Sequence, residues 1–213
     1  MKRWSDRLAH DLKGPLAPLQ TAAFLLRSGA LPPERQRELV DVIDRQTRRL
    51  NRMIEELGDF TRAEQNRLVT RRGPCSLALV LDLALGAVPD AATEPEFIGG
   101  TDAIEIDGDE PRLVQMFGTL LSHARARDPA HAPVLRIEPL DAGVRVSVID
   151  RGPAPDPTAL AGLFDAPQPA PADEGLGLAL MLAGAIAQAH DGRLDAHPAD
   201  TGGLRIDCSL PRL

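Results

Sequence analysis

Apolar residues recur every three or four positions through Leu8, Leu12, Leu16, Leu19, Ala23 and Leu26, the spacing of an amphipathic helix over residues 3 to 28. Gly29 follows at a position where glycine ends a helix favourably. After Pro32 and Pro33 a second stripe runs through Leu39, Ile43, Leu50, Met53 or Ile54, Leu57 and Phe60. It predicts a helix of roughly 30 residues, about 45 Å long. Together they form an antiparallel hairpin with one apolar face uncovered. That face is covered either by a second copy, giving a dimeric four-helix bundle, or by the downstream part of the same chain.

Beyond Glu64 the pattern changes to short strand-like runs between helices. Strands are expected at residues 66–71, 104–107, 134–138 and 144–149, with a closing hairpin at 193–196 and 204–210. Helices are expected at 76–87, 110–127 and 178–190, the second opened by Asp109 as N-cap with Pro111 in its first turn, the last followed by Gly192. The fold class is α+β, with a helical hairpin over residues 1–64 and an α/β sandwich over 65–213, its helices on one sheet face. Residues 165–174, rich in Pro and Ala, read as a mobile loop, either a plain linker or, since it abuts a glycine-rich helix start, a segment placed where a lid over a nucleotide would lie.

Charge and composition narrow the function classes. The net charge of −7 repels a nucleic-acid polyanion, and the basic run from Arg45 to Arg52 is interleaved with Asp44, Glu55 and Glu56 as on a solvated helix face. Aromatic residues make up only 3% of the chain, so the core must be built from Leu, Val, Ile and Ala. Cys75 and Cys208 match no metal-ligand spacing and are expected as thiols. No apolar run reaches the roughly 20 residues of a membrane-spanning helix, and no signal-peptide core opens the chain, so a cytoplasmic location is expected.

The chemistry-bearing residues begin with His10, in the run LAHDLKGPL on the first helix, with Asp11 beside it. A proline inside a helix removes a backbone hydrogen bond and costs about 3 kcal/mol, and this helix holds both Pro15 and Pro18. His10, Asp11 and Pro15 resemble the phosphoacceptor box of bacterial two-component sensor histidine kinases, and the resemblance runs from Leu8 to Pro211. It implies that His10 is the phosphoacceptor. A neutral imidazole nitrogen is a competent nucleophile near pH 7, and Asp11 would hold the proton on the other ring nitrogen.

The resemblance further implies an ATP-binding domain of the gyrase, Hsp90, kinase and MutL type. Residues 108–124, GDEPRLVQMFGTLLSHA, are similar to the helix carrying the family's N box, but Thr119 and His123 stand where the family has asparagines. His123 thus falls at the Mg²⁺-coordinating position, although Mg²⁺ prefers oxygen ligands. Arg125 and Arg127 are candidates to neutralise phosphates directly. The run VSVIDRGPA is similar to the first glycine box, with Asp150 as adenine acceptor and Gly152 in place, while Ala154 replaces the second glycine. Phe164 falls at the phenylalanine box. Gly175, Leu176, Gly177 and Leu178 fall in the second glycine box, where glycines let backbone approach phosphates and a helix N-terminus favours negative charge.

Two functions follow. In the first, the chain is an ATP- and Mg²⁺-dependent protein-histidine kinase, phosphorylating His10 and passing the group to a response-regulator receiver domain. In the second, favoured by Thr119, His123 and Ala154, it is a degenerate, non-catalytic phosphotransfer or scaffold dimer whose His10 is phosphorylated by another protein. Gly14, where the family often has a polar Thr or Asn, disfavours a phosphatase role. The uncovered hairpin face and the resemblance both point to a homodimer, the resemblance implies regulator recognition around residues 17–26 and the facing part of the second helix, and sensing is expected from a separate protein or domain.

Overall fold

A computed structural model describes residues 2–29, 31–88, 96–98, 104–168, 175–200 and 202–213. These form two compact units: Met1–Thr61 with Gln168–Leu178, and Arg62–Pro167 with Ala179–Leu213.

In the first unit, helix α1 spans Lys2–Arg27 and α2 spans Pro33–Glu64, the latter running on into the second unit. Both stripes predicted from periodicity are therefore helices. Pro15 and Pro18 lie inside α1, and Pro15 is buried. After α1, Gly29 adopts φ +80°, a left-handed conformation that suits glycine and ends the helix. Ala22, Leu39 and Met53 are buried within this unit, whereas Leu16, Phe24, Val40 and Ile54 are exposed. Phe24 is 72% and Ile54 61% accessible, so a large part of the hairpin's apolar surface faces outward.

In the second unit, strand β1 (Gly73–Ser76) pairs antiparallel with β3 (Glu105–Gly108). A five-stranded sheet has the order β2-β4-β5-β7-β6, built from Glu96–Ile98, Val134–Leu140, Gly143–Ile149, Leu204–Pro211 and Arg193–Pro198. Among the described residues of this sheet, only β2 and β4 run parallel. Alternation decides its faces: Val144, Val146 and Val148 of β5 and Leu204, Ile206, Cys208 and Leu210 of β7 point inward, and Arg145 and Arg205 point away. Helices α3 (Leu77–Gly86), α4 (Glu110–Arg127) and α6 (Ala179–Ala189) supply the other side of the core, with Leu81, Leu113, Met116, Phe117, Leu121 and Ile186 fully or almost fully buried. A short helix α5 spans Pro157–Leu160.

Two expectations are corrected here. Residues 66–71 form no strand: Asn66 turns at φ 52°, and the Thr70 and Arg71 amides donate to Asp109 Oδ2 at 3.1 and 3.3 Å instead of to a neighbouring strand. Asp109 does stand at the N-cap of α4, but its side chain makes no capping bond to that helix. Burial, the largest single influence, raises its pKa, but the Thr70 and Arg71 amides and the Arg112 charge outweigh it and hold the carboxyl below the usual range. Of the expected lid, residues 165–168 are described and 169–174 lie outside the described residues.

Candidate nucleotide and phosphoacceptor site

His10 sits exposed on α1 with Asp11 half-buried beside it, N-terminal to both prolines of the helix. Pro15 and Ala22, the buried residues of α1 among those described, lie well round the helix from His10, whose imidazole is exposed.

Asp150 follows directly on β5 and is only 3% exposed. Its backbone amide donates to the Leu204 carbonyl at 3.0 Å, continuing the β5–β7 pairing past the end of the strand. Asp150 Oδ1 accepts from the Gly152 amide at 2.9 Å and the Leu204 amide at 3.1 Å. Oδ2 accepts from Arg127 Nε at 2.8 Å, and Arg127 Nη2 also donates to the Pro153 carbonyl. A Cβ at Gly203 would run into the Asp150 carbonyl, and one at Gly152 would lie 2.7 Å from the Arg127 carbonyl. Both close approaches require glycine. The carboxylate is therefore fixed by backbone on one oxygen and by a guanidinium on the other.

His123 lies four residues before Arg127 on the same face of α4 and is half-buried. Burial, and then the Arg127 charge, push its pKa below the usual histidine value, against the pull of Asp150, so the ring is neutral at pH 7. Thr119 Oγ1 donates to the Gln115 carbonyl at 2.9 Å, tying that hydroxyl back to its own helix. Among the described residues no cluster of three or more His, Cys, Asp or Glu side chains is arranged to hold a metal ion. A nitrogen donor on a neutral, half-buried ring is a poor match for Mg²⁺, and His123 on its own does not fit that ion.

The remaining sequence candidates fall into separate groups. Arg125 is half-buried near the end of α4. Phe164 packs against Gly184 and lines a cavity of about 490 Å³ with Met181, Ala185 and His197; Asp150 is not part of its lining. Gly175, Leu176, Gly177 and Leu178 belong to the first unit. There Gly177 has φ +76° with its carbonyl bonded to the Gln168 amide at 2.9 Å, and the Leu176 amide donates to Glu56 Oε2 at 2.6 Å. Leu178 N approaches the same oxygen at 3.5 Å, so two backbone donors of this segment converge on an anion. Sequence reasoning treated Glu56 only as part of a solvated face and missed this. Cys75 and Cys208 are both free, buried thiols; burial above all pushes the Cys208 pKa far up, which makes it inert.

A helical part followed by an α/β sandwich with a sealed aspartate at a strand end is the two-part arrangement expected of a histidine-kinase transmitter. The family models agree with this: residues 1–66 match the His Kinase A (phospho-acceptor) domain, and residues 108–213 match the histidine kinase-, DNA gyrase B- and HSP90-like ATPase domain. The signal transduction histidine-protein kinase BaeS of Escherichia coli (strain K12) is 26% identical over 96% of this chain and 45% of its own length. Sensor histidine kinase TrcS of Mycobacterium tuberculosis is 30% identical over 92% of this chain and 41% of its own. The chain thus spans less than half the length of these two curated relatives. Among solved structures, the histidine kinase AdeS of Acinetobacter baumannii superposes with a TM-score of 0.74 at 20% identity, covering 95% of this chain and 97% of that one. The histidine kinase ThkA, in complex with response regulator protein TrrA, gives a TM-score of 0.78 at 17% identity over 99% of this chain and 61% of that one; both likenesses establish the fold. The chain belongs to the two-component sensor histidine kinases and carries their transmitter core. Among the described residues no helix is long and apolar enough to cross a membrane.

Proposed function

We propose that the chain is an ATP-dependent protein-histidine kinase that phosphorylates its own His10 and passes the phosphoryl group to an aspartate of a response-regulator receiver domain. The observation that carries this reading is the exposed imidazole of His10 beside Asp11 on a helix that tolerates two interior prolines. In the transfer, a ring nitrogen of His10 attacks the γ-phosphorus of ATP, the bond from that phosphorus to the β–γ bridging oxygen breaks, and ADP leaves. Asp11 holds the proton on the other ring nitrogen and stabilises the positive charge that develops there. The phosphoramidate then yields its phosphoryl group to the regulator's carboxylate, regenerating neutral His10.

In this proposal Asp150 accepts the adenine amino group, with Gly152 shaping the turn beside it. Phe164 belongs to the segment leading into the lid. Gly175, Leu176, Gly177 and Leu178 receive phosphate oxygens, and the convergence of two of their amides on the Glu56 carboxylate supports an anion-receiving role. Arg125 adds positive charge. Mg²⁺ is carried in on the nucleotide's phosphates, since His123 does not fit it. The exposed Leu16, Phe24, Val40 and Ile54 support a homodimer in which two hairpins form a four-helix bundle. Residues 1–64 are proposed as the phosphotransfer hairpin and 65–213 as the ATP-binding domain. The location is proposed to be cytoplasmic, with sensing by a separate protein or domain.

The test is incubation with γ-labelled ATP and Mg²⁺. Acid-labile label on the wild type and none on His10→Ala is the expected result. Equal label on His10→Ala, or no label on folded wild type, overturns the assignment.

A further inference from the structure

The Asp150 carboxylate already has partners, and one of them is removable. A carboxylate offers about four acceptor directions. The Gly152 and Leu204 amides use both directions on Oδ1, and they belong to backbone that Gly152 and Gly203 pack too tightly to shift. On Oδ2, Arg127 Nε takes one direction at 2.8 Å, and because the carboxylate is buried beneath a guanidinium that is also tied to the Pro153 carbonyl, the remaining direction is closed to an incoming donor while Arg127 stays in place. The two partners differ in access: the Asp150 side chain is 2% exposed and that of Arg127 is 23% exposed. The guanidinium therefore has a route to solvent that the carboxylate lacks. Its second anchor, the Pro153 carbonyl, sits three residues past Asp150 on the same turn, so one side chain covers both the acid and the loop that follows it.

We propose that Arg127 is a specificity-determining latch on the purine site, occupying Asp150 Oδ2 in the free protein so that an adenine amino group binds only by displacing it. This rests on the reading of Asp150 as the adenine acceptor. A neutral amino donor replaces a charged one at a buried acid, and charge-assisted bonds are the stronger kind, so the exchange lowers the affinity of the wild type. Without the guanidinium, Asp150 Oδ2 is buried and unpaired, and the amino group of adenine is the group that completes it. Arg127 in this role tunes base binding and does not touch the reacting phosphorus.

The experiment is calorimetric titration of the full chain with ADP and, as a base control, IDP, whose 6-oxo group offers an acceptor where ADP offers a donor. Arg127→Met is expected to bind ADP at least about tenfold more tightly than wild type, with IDP affinity little changed. The gain should vanish in the Arg127→Met/Asp150→Asn double variant. If wild type binds ADP and folded Arg127→Met binds it equally or more weakly, the latch is wrong while the adenine assignment stands. If Asp150→Asn leaves ADP affinity untouched in both backgrounds, the adenine assignment is wrong and the latch falls with it; both fall as well if no folded variant binds ADP. Should Arg127→Met fail to fold, the wild type answers alone. The ¹⁵N-edited resonance of Arg127 Nε–H should shift towards a solvent-exposed value on saturation with ADP, and an unmoved resonance at saturation refutes displacement.

Discussion

Replacing His190 with glutamine should flatten the acid limb of the stability profile. His190 is 1% exposed at the end of α6. Its Nδ1 lies 2.7 Å from the Ile186 carbonyl, which can only accept, and its Nε2 lies 2.9 Å from the Asp109 amide, which can only donate. These partners fix the neutral tautomer with the proton on Nδ1, and protonating Nε2 would set two N–H groups against each other. Burial first, and then the Arg72 charge, hold the pKa below 6.5, outweighing the Ile186 bond and the Asp109 and Asp107 charges. A folded pKa below the unfolded one means the native state binds fewer protons. The stabilisation is thus complete above 6.5 and is lost as pH falls from 6.5 towards the folded pKa. Each such group contributes a slope of at most about 1.4 kcal/mol per pH unit, so between pH 7.5 and 5.5 His190 accounts for up to about 1.4 kcal/mol. Urea titrations of wild type and His190→Gln at a series of pH values provide the assay. The stability gap between them should be widest at pH 7.5 and shrink by that amount at 5.5, while His123, present in both proteins, cancels. A gap constant across the range would refute the neutral, doubly bonded histidine.

Three further outcomes follow from the same geometry. His123→Asn places an amide oxygen on α4 and should raise the initial rate of label incorporation from γ-labelled ATP; an unchanged rate would show that the ring is not what limits transfer. Gly203→Ala drives a Cβ into the Asp150 carbonyl and to within 2.6 Å of its Oδ1, and should cost about 2 kcal/mol or more by chemical denaturation. Stability equal to wild type would mean that the strand end yields easily and does not hold Asp150. If the chain forms the proposed dimer, Phe24→Glu should leave it monomeric in light scattering, because the 72%-exposed ring lies on the face assigned to the bundle; a Phe24→Glu variant still dimeric would put the interface elsewhere.

What could be read from the sequence was whatever depends on neighbours along the chain. The helix expected at 110–127 is Glu110–Arg127 because Pro111 and the apolar spacing through Leu113, Phe117 and Leu121 are local signals. The alternation of Val144, Val146 and Val148 likewise announced a strand with one face in the core. Residues 66–71 misled because Leu68 and Val69 resemble the start of a strand, while the group that takes the Thr70 and Arg71 amides, Asp109, lies nearly 40 residues away. Arg127 was legible as a cation four residues after His123, yet nothing local shows that its partner is an aspartate on another element. Glu56 was hidden in the same way, 120 residues before the amide it accepts.

The strip of α4 formed by Thr119, His123 and Arg127 carries a consequence for Mg²⁺. Successive residues at four-residue spacing share a helix face, and here they present a hydroxyl bound to its own helix, a neutral imidazole and a guanidinium bound to Asp150. None of the three offers the cation an uncommitted amide or carboxylate oxygen, and the guanidinium repels it. Binding energy that an oxygen donor on this face would give to the Mg²⁺–nucleotide complex is therefore missing. The affinity of the wild type for ADP should change by less than about threefold between excess Mg²⁺ and EDTA, a difference below about 0.7 kcal/mol. His123→Asn supplies one oxygen ligand and should widen that ratio. A wild type that already loses tenfold or more in EDTA would mean that oxygen ligands reach the ion from elsewhere, and the account of this strip would fall.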